Sequence, residues 1–277
     1  MKIDILSDLH LNTYFNPNFD ENSVKLIYDQ IILKDKREPA DVLIIAGDLG
    51  EYNSQIINFL EILKQNYYKN IICVLGNHDY YLLDYEDKQF YEFNSFTRAK
   101  RLKASINAID GVYCLDGDII EIDGIRFGGA MGWYDNGYIK KYFPNENIFS
   151  HINKIWESFS LDFKYILGIK DFNELYKIEY PKLQKIHKDC DVMISHINPS
   201  YSHDHIHYIY HNNQTNTFFT FDGYSLMKEG SMKYWVFGHT HNKTEYELYG
   251  VKCISNPLGY PDESDFGQAV KIKTIEI

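Results

Sequence analysis

Several things are scarce in this 277-residue sequence, and each scarcity closes off a class of protein. Cysteine occurs four times, as Cys73, Cys114, Cys190 and Cys253, with no C-x-x-C pair. Neither a thiolate metal ribbon nor a disulfide framework is therefore encoded. Three of the four lie in apolar runs, which predicts buried free thiols and fits a reducing cytoplasm. No apolar run approaches the roughly 18 residues of a membrane span. The opening Met1–Asp8 stretch also puts acidic residues where a secretory leader needs apolar ones, so a cytoplasmic protein without a membrane partner is expected. Positive charge is short as well: 28 Lys and Arg stand against 39 Asp and Glu, a net charge of −11. No global field would draw such a chain to nucleic acid or anionic lipid, although bound metal could supply positive charge locally. Internal repeats, low-complexity tracts and Pro/Gly/Ser linkers are absent, so residues 1–277 read as one domain carrying insertions.

What is present is an alternation of short apolar runs with helical patterns, the mark of an α/β architecture. Ile3–Leu6, Val42–Ala46 and Ile71–Leu75 read as buried strands. Between them, Ser23 is placed to cap a helix with apolar positions at Val24, Ile27, Tyr28 and Ile31. A second helix carries Ile56, Phe59, Leu60, Leu63 and Tyr67. Further on, Val112–Leu115, Ile119–Ile122 and Ile125–Met131 read as antiparallel strands separated by Asp-Gly turns at 116–117 and 123–124. Asp171 with Glu174 has the form of a helix start, and Pro181 is expected to interrupt the helix that follows. Asp191–Ser195 and Tyr234–Phe237 return to buried-strand patterns. Thr244–Leu248 and Val251–Ser255 flank a Tyr249-Gly250 turn, and Ala269–Ile277 alternates as a last strand.

Five of the buried strands end abruptly in residues able to bind metal. They run into Asp8-Leu9-His10, Gly47-Asp48, Gly76-Asn77-His78-Asp79, Ser195-His196 and Gly238-His239-Thr240-His241. Ligands of α/β sheets collect at the carboxyl ends of strands, so the five segments are placed to converge on one crevice. A mixed Asp, Asn and His set suits borderline cations such as manganese, iron and zinc.

In order and approximate spacing these motifs resemble those of the calcineurin-like metallophosphoesterase superfamily, spanning residues 8–241. The resemblance implies a four-layer α/β/β/α sandwich of two mixed β-sheets flanked by helices. It implies two divalent metal ions, with manganese the first expectation and iron or zinc the alternatives. Asp8, His10 and His241 would hold the first ion, Asn77, His196 and His239 the second, and Asp48 would bridge them. His78 would face the substrate, and Glu51, three residues after Asp48, would orient it. The implied chemistry is hydrolysis of a phosphomonoester or phosphodiester, nucleotide-type substrates included, by hydroxide generated between the cations. The serine/threonine phosphatase branch follows its bridging aspartate with Asp-Arg-Gly, whereas this chain reads Asp48-Leu49-Gly50-Glu51-Tyr52-Asn53. The missing arginine points away from that branch and toward the broader bacterial-type phosphoesterases.

A small phosphorylated substrate is thus the expected partner, selected by segments near 80–110, 137–189 and 200–230. A nuclease is the second reading, disfavoured by the charge, and a non-catalytic scaffold on the same fold is the third. The alternating His203, His205 and His207, with His211, read either as an extra metal or phosphate site or as a polar loop. Trp133 suits core packing or stacking on a base, and Lys140-Lys141 a solvated pair or a phosphate contact. The Asn256–Pro261 stretch looks like a rigid turn that buttresses the Gly238–His241 loop or lines the pocket.

Overall fold

The computed structural model describes residues 1–16, 18–28, 38–144, 151–206, 208–263 and 272–277. Eleven strands form among them: β1 (Lys2–Leu6), β2 (Val42–Ala46), β3 (Asn70–Val74), β4 (Val112–Cys114), β5 (Asp118–Ile122), β6 (Ile125–Gly129), β7 (Val192–Ile194), β8 (Tyr234–Phe237), β9 (Thr244–Leu248), β10 (Val251–Ser255) and β11 (Lys273–Glu276). One sheet has the order β11-β1-β2-β3-β4 and the other β5-β6-β7-β8-β10-β9. In the first, β1 to β4 run parallel and β11 antiparallel. In the second, β6, β7, β8 and β10 are parallel, with antiparallel β5 and β9 at the edges.

Alternation along each strand divides the core into layers. Ile3, Ile5, Val42, Ile44, Ile72 and Val74 of the first sheet pack on Phe127, Val192, Ile194, Val236 and Ile254 of the second. The opposite faces receive helices. Leu43, Ile45, Ile71 and Cys73 join Ile56, Phe59, Leu60 and Leu63 of helix Asn53–Asn66, while Met193, Trp235 and Cys253 join Leu175 and Leu183 of helix Phe172–Ile186. The result is the expected α/β/β/α sandwich. All four cysteines are buried free thiols. No helix among the described residues is long and apolar enough to cross a membrane.

Three local expectations are corrected. Helix Glu21–Ile27 starts earlier than expected, capped by Asp20 rather than Ser23: the Asp20 carboxylate accepts from both the Ser23 backbone N–H (2.9 Å) and its hydroxyl (2.7 Å). A carboxylate is the stronger acceptor, so Ser23 serves as donor. Helix Phe172–Ile186 runs through Pro181, with Leu175, Glu179, Leu183 and Ile186 buried along it. That apolar stripe outweighs the roughly 3 kcal/mol an interior proline costs. Asp116-Gly117 joins the two sheets instead of turning a hairpin, because β4 pairs parallel with β3. Asp123-Gly124, both left-handed, does make the tight β5–β6 hairpin. Ile31 and residues 269–271 lie outside the described residues.

The helix Phe172–Ile186 also buries a carboxyl group. Glu179 is 1% exposed, with Lys182 Nζ at 2.6 Å from its carboxylate. Burial pushes its carboxyl from the ordinary 4.5 up to about 7, against the pull of Lys182. Between those two values the folded chain keeps a proton that the unfolded chain releases. Stability contributed by this group is therefore present below pH 4.5 and lost as pH rises toward 7, by on the order of 3 kcal/mol. Denaturant midpoints at pH 5 and pH 8 should differ less in Glu179→Gln than in the unmodified chain. An unchanged difference would remove Glu179 as its source.

Candidate active site

The five strand-end segments meet at the carboxyl ends of β1, β2, β3, β7 and β8, along one rim of the two face-packed sheets. Their backbones are bent hard to do so. Asp8, His10, Asp48, His239 and His241 all hold left-handed φ values between 42° and 68°. Such a conformation costs on the order of 1–3 kcal/mol at a non-glycine residue and persists only where surroundings over-determine it. Here the bends lock one another. Asp8 N–H donates to Gly47 O (3.0 Å), His10 N–H to Asp48 O (3.1 Å) and His239 N–H to the Asp8 carboxylate (2.9 Å). Asp79 adds a clamp, its buried carboxylate accepting from the N–H groups of Leu49, Gly50 and Gly76. Arg98, 1% exposed, donates to the carbonyls of Gly50, His78 and Tyr81.

Two groups of metal-competent donors result. The donor atoms of Asp8, His10, Asp48 and His241 lie within 4.8 Å of one another, and so do those of Asp48, His196 and His239. Asp48 belongs to both. Its Oδ2 is 3.7 Å from His10 Nε2 and 3.3 Å from His196 Nε2. Asn77 Oδ1 joins the second group, 2.9 Å from His196 Nε2 and 3.1 Å from His239 Nδ1. In the first, the Nε2 atoms of His10 and His241 stand 3.0 Å apart. The structure thus brings together all seven residues singled out for metal in the sequence. His78 lies beside them, its N–H on the Asp48 carboxylate (2.9 Å) and its Nδ1 3.2 Å from Glu51 Oε1.

Outer contacts decide which atom each residue turns inward. The rear ring nitrogen donates to Ala46 O from His196 Nδ1 (2.9 Å), to Phe218 O from His239 Nε2 (2.9 Å) and to Glu263 from His241 Nδ1 (2.6 Å). Each hydrogen bond turns the opposite nitrogen toward the cluster. Asn77 is oriented likewise: its amide N–H group donates to Asp162 Oδ1 (2.8 Å), which turns the carbonyl oxygen toward the imidazoles. Asp162 also accepts from the hydroxyls of Tyr81 (2.6 Å) and Tyr134 (2.8 Å). Neither Asp162 nor Glu263 was picked out by sequence reasoning. Asp162 sits in the first turn of helix Leu161–Tyr165 behind the Ser160 cap, and read along the chain it looks like ordinary helix-start chemistry.

A divalent cation pair fits this donor set. Asp8 and Asp48 are at most 1% exposed, and among the described residues no lysine or arginine pairs with either. Burial alone would raise the Asp48 carboxyl, yet the imidazoles of His196 and His78 hold it well below the carboxylate range. His239 is kept neutral, lowered to about 4 by burial and by His196. His196 goes the other way, to about 9, because Asp48 and Asp8 outweigh its burial. In that arrangement a proton is the counter-charge, and a metal ion is its natural competitor.

The clusters open into a cavity of about 450 Å³. His205 and Tyr260 are on its lining, with Tyr260 stacked on His10 at 4.4 Å. The Asn256–Tyr260 stretch braces the end of β1, where Leu258 and Gly259 N–H groups donate to Ser7 and Asp8 carbonyls (both 2.9 Å), and its Tyr260 ring also meets that of His241 at 5.0 Å. His203–His205 is a single 3-10 turn, so its alternate residues share no strand face. His203 stacks on Tyr142 and His211, His205 on Tyr246, and none joins a metal-competent group among the described residues. His207 lies outside them. Trp133 is fully buried and stacked on Tyr134 at 4.2 Å, as core packing requires. Lys140 and Lys141 are exposed and line no part of the cavity; Lys141 lies over the rings of Tyr142 and Tyr201.

Two mixed sheets with paired Asp/His clusters at their strand ends define a metal-dependent phosphoester hydrolase. The chain belongs to the calcineurin-like phosphoesterase family, whose profile matches residues 1–243. It is 26% identical over 288 residues to uncharacterized protein L509 of Acanthamoeba polyphaga mimivirus, across 93% of this chain and 91% of that one. Phosphopantetheinyl hydrolase (PptH) from Mycobacterium tuberculosis shares the fold, with a TM-score of 0.73 at 16% identity over 99% of this chain and 95% of that one.

Close approach at the glycines gives a direct check on the geometry. A Cβ on Gly76 would stand 2.2 Å from Asp48 Oδ1 and 2.4 Å from its backbone nitrogen, and neither can retreat. Gly76→Ala should lower stability by about 3 kcal/mol in chemical denaturation. A variant as stable as the parent would contradict the packing of these two loops.

Proposed function

We propose that Asp8, His10 and His241 hold one divalent cation, that Asn77, His196 and His239 hold a second, and that Asp48 is shared between them. The pair serves hydrolysis of a small phosphomonoester or phosphodiester, nucleotide-type esters included. The observation that carries this reading is the membership of Asp48 in both donor groups, at the floor of a cavity of about 450 Å³. Donors of carboxylate, amide and imidazole type without thiolate favour manganese, with iron and zinc as alternatives. When bound, two such cations would supply Lewis acidity for activating water and charge for balancing the phosphoryl oxygens.

The chain's own residues do the rest. His78 gives a proton to the departing oxygen. Glu51, 3.2 Å from its Nδ1 and itself held by the Asn12 amide at 2.8 Å, favours the imidazolium form that has a second N–H to give. Asp162 and Glu263 are positioning residues for Asn77 and His241. The insertions near 80–110, 137–189 and 200–230 of this one domain form the substrate-selecting cover, each contributing to the lining through residues such as Tyr81, Phe159 and Phe219. The four free buried thiols support a cytoplasmic setting. A net charge of −11 speaks against a polymer substrate.

Manganese-loaded protein should hydrolyse p-nitrophenyl phosphate or its bis ester, and chelation should abolish the activity. Asp48→Ala should lose bound metal and turnover together. His78→Ala should keep both ions by metal analysis while kcat drops at least about 100-fold; normal turnover in that variant would strip His78 of its role. Asp162→Asn should weaken one of the two ions about 10- to 100-fold in titration and leave the other near parental affinity. Equal loss of both ions would mean that it does not act through Asn77.

A further inference from the structure

The cavity beyond the two donor groups has a composition that selects among phosphoesters. Among the described residues that line it there is no lysine or arginine. The nearest buried guanidinium, that of Arg98, is committed to backbone carbonyls. The carboxylates on the lining outside the floor, Asp162 and Glu263, are engaged with Asn77 and His241. From the floor outward runs an aromatic wall. Phe219 lies 5.0 Å from the His239 ring, and Phe159 follows at 6.4 Å from Phe219 and 6.3 Å from Phe218. Phe159 is 50% exposed at the mouth, and Leu161 beside it 52%. Neutral amide and hydroxyl groups, Asn213 and Thr215 among them, complete the lining.

Resting on the phosphoesterase reading above, we infer that this pocket takes the alcohol half of a phosphoester bearing a single phosphoryl group, and that this half is uncharged and aromatic or apolar. A phosphoryl group on the floor finds its counter-charge in the cations. A second phosphate further out would find none, and would face two carboxylates across a low-dielectric wall. An aromatic ring in the same place covers exposed Phe159 and stacks on its face. A cavity of about 450 Å³ sits at the small end of ligand sites, with room for one phosphoryl group and a bicyclic ring.

Two measurements test this. Metal-chelated protein should bind 2-naphthol, followed by its fluorescence, and Phe159→Ala should weaken that binding about tenfold; a half-exposed side chain can be truncated without loss of the fold, checked by thermal melting. With manganese, kcat/KM for 2-naphthyl phosphate should exceed that for glycerol 3-phosphate and for ADP by about tenfold or more, and Phe159→Ala should shrink the first gap. Hydrolysis of glycerol 3-phosphate or ADP as efficient as that of the naphthyl ester, with no naphthol binding, overturns the substrate class and leaves the hydrolase reading intact. Naphthol binding without hydrolysis of any ester by metal-loaded protein overturns the hydrolase reading, and the substrate assignment with it.

Discussion

Two carboxylates, Asp8 and Asp48, are buried at the ends of adjacent parallel strands with imidazoles as their counter-charge. Burying an ionised carboxylate costs several kcal/mol unless charge and hydrogen bonds compensate it. The surrounding structure is organised around that cost. Backbone N–H groups of His78 and His239 point at the carboxylates, and glycines at 47, 76 and 238 let neighbouring chain approach within reach. Five strained residues are held in place by hydrogen bonds between loops that are far apart in sequence. The sheets supply the rigid base. Because β1, β2, β3, β7 and β8 are short and fully paired, their ends fix where each loop begins.

Much of this was legible in the sequence, for physical reasons. A run such as Val42–Ala46, apolar at every position, has to be buried on both faces, and a polar residue following it has to sit at a sheet end. Asp8, Asp48, Asn77, His196 and His239 were exposed to inspection by that logic. The features that escaped it depend on contacts with no local signature. Asp162 meets Asn77 across 85 residues, Glu263 meets His241 across the β9–β10 hairpin, and Arg98 works through carbonyls that every residue carries. Caps and proline tolerance went astray similarly. Whether Asp20 or Ser23 opens a helix, and whether Pro181 closes one, is settled by competing acceptors and by the stripe a helix buries. The pairing of β4 with β3 rather than β5 is a matter of sheet topology, which an Asp-Gly dipeptide does not encode.

The lack of lysine and arginine among the described residues that line the cavity gives the charge pattern of the whole chain a local meaning. A protein with 39 acidic and 28 basic groups repels polyanions in general, and its site is no exception away from the donor clusters. In the proposed function, a phosphate at the donor clusters is recognised by coordination and not by a guanidinium fork, which ties affinity for the anion to metal occupancy.

Asp162 carries this organisation one step further. The carboxylate that aims Asn77 belongs to the covering segment, not to the sheet, and the same residue lies on the cavity lining. If Asn77 holds a metal ion as proposed, a shift in the length or packing of that segment, whether by drift or by grafting from a relative, alters the coordination environment as well as the shape of the opening. Under the proposed assignment, selectivity for substrate and fidelity for metal share a hinge at Asp162.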